Sequence, residues 1–257
     1  VLIQIDVSAA NLGLAFPVDH ALVGGGGEVM GRLVEELEVA GHNPVATSSP
    51  WAAGGDADWS ASEVGRSAEV PILPQRAIAE LGRVAPADAF FTCDAGENRL
   101  FMLHHFQTRA AGTFLQPAAS GGMGYAIPAA LAAKVVHPDR AAVAVCGDGG
   151  FAMTMNGLMT AVEMDLPIIV MVLNNSVLGW VLHGQPRPIA SRFAPFDHAA
   201  MARSMGCEGV RVERPDELGD ALAAAFAVAD RPTVVEVLSS AEQTYRTVAS
   251  PLAETAE

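Results

Sequence analysis

The chain has 257 residues and a formal net charge of −14, and charged residues make up 17% of it, below the roughly 25% of an average soluble domain. That length can bury a large core, as one sizeable α/β domain or as one domain plus part of another. No basic stripe interrupts the acidic balance, which argues against nucleic acid and anionic membranes as partners, and apolar runs such as Leu166 to Leu173 fall far short of the roughly 20 residues that span a bilayer.

Three cysteines, Cys93, Cys146 and Cys207, are odd in number and widely spaced. They suggest neither a disulfide framework nor a zinc site, and they suit a reducing, cytoplasmic setting. The opening "VLIQIDV" has no initiator Met and no signal-peptide pattern, and reads as a strand already under way, so the chain is expected to start inside a longer protein.

In chain order, a strand at Leu2 to Ile5 precedes an amphipathic helix, "GEVMGRLVEELE", with Val29, Leu33, Val34 and Leu37 on one face. Residues 1–40 read as the end of a preceding domain. Residues 41–70 are rich in Gly, Ser, Ala and Pro without periodicity, the composition of a linker. From 71 to 240 helical and strand patterns alternate: a helix from Pro74, strand "AFFTC", a helix from Glu97, a Gly-rich turn, helix "MGYAIPAALAAKVV" and strand "AAVAVC". A crossover from Phe151 to Pro167 and an apolar strand up to Asn174 follow, then a helix from about Asp197, strand "GVRV", helix "PDELGDALAAAFAVAD" and strand "TVVEVL". Residues 241–257 form a tail. The alternation predicts a doubly wound α/β fold, a parallel sheet with helices on both faces, and the nearly all-apolar strands suit burial on both sides.

In such a sheet, ligands gather beyond the carboxyl ends of the strands. Gly147-Asp148-Gly149-Gly150 ends one predicted strand and Asn174-Asn175 ends the next, so one crossover returns both clusters to the same edge. Glycines let backbone N–H groups approach a phosphate closely. A carboxylate beside a phosphate repels it unless a cation lies between them, and a carboxylate, an amide oxygen, a carbonyl and phosphate oxygens together describe Mg²⁺. Taken alone, Gly-Asp-Gly is as well explained by a plain turn; the Asn-Asn at the second strand end reduces that alternative.

Gly147-Asp148-Gly149, residues 150–173 and then Asn174-Asn175 resemble the thiamine diphosphate motif of the superfamily of acetolactate synthase, pyruvate oxidase and benzoylformate decarboxylase. The resemblance covers the whole chain, with 1–40 similar to the end of that family's central domain and 71–240 to its diphosphate-binding domain. It implies that Asp148, Asn175 and the Val177 carbonyl bind Mg²⁺, and that Gly147, Gly149 and Gly150 contact the diphosphate, flanked by Leu178 and Gly179. "SGGMGYAIPAA" matches the turn beneath the bent cofactor, with Met123 as the apolar wedge and the Gly121 carbonyl, beside Gly122, accepting from the aminopyrimidine. The bend brings the 4'-imino nitrogen to the thiazolium C2–H. Periodicity alone makes Met123 a core residue at the start of a helix.

"CDAGENRLFMLHHF" matches the segment serving the diphosphate end, which makes Asn98 a phosphate donor. Glu97 departs from the amide usual there, and an acidic residue in the first turn of a helix explains it equally well. "SVLGWVLHGQ" is expected to line the substrate side through Trp180, Val181 and His183. Acetolactate synthases carry a bulky Trp where Gly184 stands, which places strict acetolactate chemistry in doubt. A lone helical His is more often structural, and "LHHF", with His104 and His105, lacks metal-ligand context.

The family's activating glutamate belongs to a separate pyrimidine-binding domain that no part of this chain resembles; neither Glu97 nor Glu163 suits that role. The resemblance therefore implies a thiamine diphosphate and Mg²⁺-dependent enzyme acting on 2-oxo acids by decarboxylation or carboligation. Its site would be completed by the pyrimidine-binding domain of another subunit or of a missing N-terminal half, as a homodimer or homotetramer. Bound flavin (FAD) is compatible with it. Two alternatives stand beside this reading: a non-catalytic or split cofactor-binding subunit, and a flavodoxin-like nucleotide binder that would leave Asn175 and Met123 without a role.

Overall fold

The computed structural model describes residues 1–42, 59–118, 120–187 and 189–244. The chain divides into two compact units, Val1–Ala57 and Asp58–Glu257. In the first, β1 (Ile3–Asp6) and β2 (His20–Val23) pair in parallel, and α1 (Gly26–Val39) follows. Much of the span read as a linker, and the C-terminal tail beyond residue 244, lie outside the described residues. Residues 59–66, inside that span, form two short 3₁₀ turns.

The second unit holds α2 (Pro74–Val84), β3 (Phe90–Cys93), α3 (Glu97–His105), β4 (Phe114–Leu115), α4 (Ala126–Val136) and β5 (Ala142–Gly147). After these come α5 (Asp148–Thr154), α6 (Gly157–Glu163), β6 (Ile169–Asn174), α7 (Gly179–Gly184), α8 (His198–Ser204), β7 (Glu208–Val212), α9 (Leu218–Ala227) and β8 (Thr233–Leu238). Every strand pairing is parallel, in the order β4-β3-β5-β6-β8-β7. This is the doubly wound sheet expected from the alternation.

The strands β5, "AVAVCG", and β6, "IVMVLN", are buried almost throughout, because both faces of the sheet are covered and neither can carry polar side chains. Their alternation divides the core. Val143, Val145, Met171 and Leu173 face a layer with Ile78, Leu81, Phe101, Met102 and Leu222, from α2, α3 and α9. Ala144, Cys146, Val170 and Val172 face Ile127, Ala130, Phe151, Leu158 and Ala202, from α4, α5, α6 and α8. Pro74 opens α2 at its first turn, where a missing N–H costs nothing.

This division positions the site. After β3 the chain leaves over one face into α3, and after the neighbouring β5 it leaves over the other into α5, so a crevice opens between their carboxyl ends. The register sets Gly147 opposite Leu173, which brings the end of β6 alongside. Among the described residues no helix is long and apolar enough to cross a membrane. Cys93, Cys146 and Cys207 are free and buried; burial pushes all three thiols up, which keeps them protonated and inert.

Phe151, fully buried, anchors α5 and meets the His198 ring edge-on, with centroids 5.3 Å apart. Phe151→Ala should cost about 3–5 kcal/mol in denaturant unfolding, since the cavity would lie where α5 rests on the sheet.

Candidate functional site

A cleft opens in the crevice between β3 and β5, where ligands gather in a fold of this kind. Asn98, Met123, Gly147, Asp148, Gly149, Gly150, Asn175, Val177, Leu178, Gly179, Trp180 and Val181 all line it, together with Glu97. Gly121, Gly122 and His183 are not among its lining residues. His104 is exposed, and His105 borders a separate depression with Arg83 and Arg109.

Asp148 is the first residue of α5 and only 4% exposed. Its Oδ1 accepts the Gly149 N–H at 2.6 Å, while Oδ2 is buried with no hydrogen-bond partner. Burial pushes this carboxyl above the ordinary range, opposed by the N–H groups of Gly149, Ser176 and Asn175. An ionised oxygen without a partner is costly in such a place. The Asn175 Oδ1 accepts the Val177 N–H at 3.2 Å and keeps a second lone pair. Asp148 and Val177 are buried and Asn175 is half-buried, and all three line the cleft.

The loop carrying Asn175 and Val177 is fixed from behind. Ser176 adopts a left-handed φ of 57°, and its N–H donates to the Asn174 Oδ1 at 3.1 Å. The Asn174 Nδ2 donates to the Glu236 Oε1 at 2.6 Å, the His198 Nδ1 lies 3.0 Å from the same oxygen, and the Ala199 N–H donates to Oε2 at 3.2 Å. On its other side the loop pairs with the following chain, where the Leu178 N–H donates to the Ser191 carbonyl and the Phe193 N–H to that of Ser176. Burial alone would raise the Glu236 carboxyl; the bonds from His198, Asn174 and Ala199 outweigh it and hold the carboxyl down at about 2.

Asp94, at the end of β3 and 1% exposed, was not singled out in the sequence. Its oxygens accept the Gly124 N–H at 3.0 Å and the Tyr125 N–H at 2.8 Å, which ties the turn bearing Met123 to the sheet. Gly121 and Gly124 take left-handed φ values of 60° and 85° in that turn, conformations that favour glycine. The same carboxylate packs so closely on Gly150 that a Cβ there would collide with it. A Cβ on Gly149 would meet Leu178 Cδ2 at 2.6 Å and Met123 Cε at 3.1 Å, so Met123 reaches over the start of α5. Asn98 is buried, with its Nδ2 donating to the Asp94 carbonyl at 2.9 Å.

The architecture defines a doubly wound α/β protein with a glycine-floored cleft at the carboxyl edge of its sheet. Residues 94–237 match the family model of the thiamine pyrophosphate enzyme, C-terminal TPP binding domain. The chain is 33% identical over 246 residues to a thiamine pyrophosphate-containing protein, YdaP, of Bacillus subtilis, covering 92% of this chain and 42% of that protein. It is 30% identical over 253 residues to an acetolactate synthase of Mycobacterium avium, covering 94% and 41%, and 27% identical over 240 residues to the acetolactate synthase isozyme 3 large subunit of Escherichia coli, covering 88% and 41%. The chain belongs to the thiamine pyrophosphate enzyme family, in the part that binds the cofactor. It spans about two fifths of the length of these relatives.

Two outcomes follow from the electrostatics. Asp148→Asn should raise the melting temperature measured without metal, by the equivalent of on the order of 1 kcal/mol, because burial disfavours the charged carboxyl and its Oδ2 is unpaired. The Glu236 carboxyl is depressed from its ordinary 4.5 to about 2, so its contribution is complete above pH 4.5 and is lost as pH falls toward 2. Unfolding followed against pH should show Glu236→Gln flattening that window while leaving the slope near pH 7 unchanged.

Proposed function

We propose that this chain is the diphosphate- and Mg²⁺-binding part of an enzyme that uses thiamine diphosphate on a 2-oxo acid, by decarboxylation or carboligation. The observation that carries the reading is the buried Asp148 Oδ2 without a partner, beside Gly149 and Gly150 and within reach of the loop of Asn175. A cation there gives the oxygen its missing counter-charge, and glycines without a Cβ at the start of α5 suit the close approach of a phosphate to the backbone.

In this reading Asp148, the Asn175 side chain and the Val177 carbonyl hold the ion, while Gly149, Gly150 and Asn98 face the diphosphate. Asp94 holds the Met123 turn by two backbone hydrogen bonds, so that Met123 supports the cofactor's bend with an apolar side chain that adapts its shape. When bound, thiamine diphosphate supplies a carbon nucleophile that adds to a ketone carbonyl and accepts the electron pair released on decarboxylation. Trp180 and Val181, on α7, form the wall on the substrate side. Residues 1–40 are the end of a central domain, and the activating glutamate comes from a pyrimidine-binding domain elsewhere in the protein or in a second subunit. The likeness to acetolactate synthases supports this reading; Gly184, in place of a bulky Trp, favours a different acceptor preference.

Calorimetric titration of the assembled protein with thiamine diphosphate and Mg²⁺ tests it. Saturable, Mg²⁺-dependent binding is expected, with a loss of about 100-fold or more for Asp148→Ala, since removing an outer-shell partner of a metal ligand already costs about 10–100-fold. Equal binding by that variant would contradict the assignment.

A further inference from the structure

Glu97 is the one feature of the cleft that the diphosphate reading makes unfavourable. It is 6% exposed and lines the cleft with Asp148, and it packs so tightly on the first residue of α7 that a Cβ on Gly179 would overlap its carboxylate. Asp148 gains a counter-charge from the proposed ion. Glu97 stands where an anionic tail would feel it as a like charge in surroundings that screen poorly.

His183, at the far end of α7, meets it. The imidazole Nδ1 lies 2.8 Å from the Glu97 Oε1, with the histidine side chain 17% exposed. The pair joins the first turn of α3 to the last turn of α7. Nearby on α3, the Arg99 guanidinium donates to the Pro117 carbonyl and lies 5.9 Å from the Trp180 ring centroid.

We propose that His183 is the counter-group of Glu97: by donating from Nδ1 it holds the carboxylate against Gly179 and disperses its charge, and it thereby sets how tightly the cleft takes a diphosphate. This inference rests on the diphosphate reading of the cleft. His183 acts through Glu97 and is a positioning residue, which accounts for a histidine that borders the site without lining it. A charge-assisted hydrogen bond is strong enough for the task, and removing one partner of a buried ion pair costs more than the pair itself contributes.

The test is a cycle of Glu97→Gln, His183→Gln and the double variant in the assembled protein, titrated calorimetrically with thiamine diphosphate plus Mg²⁺ and, separately, with pyrophosphate plus Mg²⁺. His183→Gln should weaken both ligands about tenfold or more, Glu97→Gln should bind at least as tightly as wild type, and the double variant should recover the Glu97→Gln value. Only a charge effect predicts that recovery. A His183→Gln variant that binds like wild type, a double variant as weak as His183→Gln, or a loss seen with thiamine diphosphate but not with pyrophosphate would each overturn the proposal while leaving the cofactor assignment standing. No thiamine diphosphate binding by the wild type would remove both.

Discussion

The parallel pairing of β5 with β6, Gly147 opposite Leu173, is the constraint on which the rest of the site depends. It delivers an acidic strand end and an amidic strand end to one edge of the sheet, although a full crossover separates them in sequence. Shifting that register by one residue would turn Val143 and Val145 toward the opposite helical layer. The two-sided core that fixes the register therefore also fixes where Asp148 and Asn175 can meet.

Around this pairing, the cleft is organised in two shells of opposite character. The outer one is fully satisfied: Asp94 holds the Met123 turn, and Glu236 with His198 and Asn174 holds the loop after β6. The inner one is left incomplete at the Asp148 Oδ2. A satisfied shell keeps an unsatisfied oxygen from turning away or drawing in the neighbouring N–H groups, which is the condition for pre-organised ion binding. Glu236 illustrates the scale of this support, since its carboxyl is held at about 2 despite complete burial of its side chain.

The doubly wound architecture was legible because the strands β5, β6 and β8 are long, apolar and bounded by helical periodicity. The Gly-Asp-Gly and Asn-Asn ends were legible because polar residues at the ends of such strands stand out. Other features left little trace. β4 is a two-residue edge strand, too short for any period to register. The crossover read as helix and turn is two helices, α5 and α6, each seven residues long, and Asn156, the N-cap of α6, makes no side-chain capping bond at the break. Asp94 carries no local signal; its value lies in bonds to Gly124 and Tyr125, about 30 positions away. The pairing of Glu97 with His183 leaves no trace in the sequence, because nothing local says that the first turn of α3 meets the last turn of α7.

The measurement that bears most directly on the central claim is anomalous diffraction from crystals grown with thiamine diphosphate and Mn²⁺ in place of Mg²⁺. The account predicts one strong peak about 2.0–2.3 Å from the Asp148 carboxylate and the Asn175 side-chain oxygen, bridging to phosphate oxygens. A diphosphate bound with no ion at Asp148, or an ion held by Glu97 instead, would contradict it.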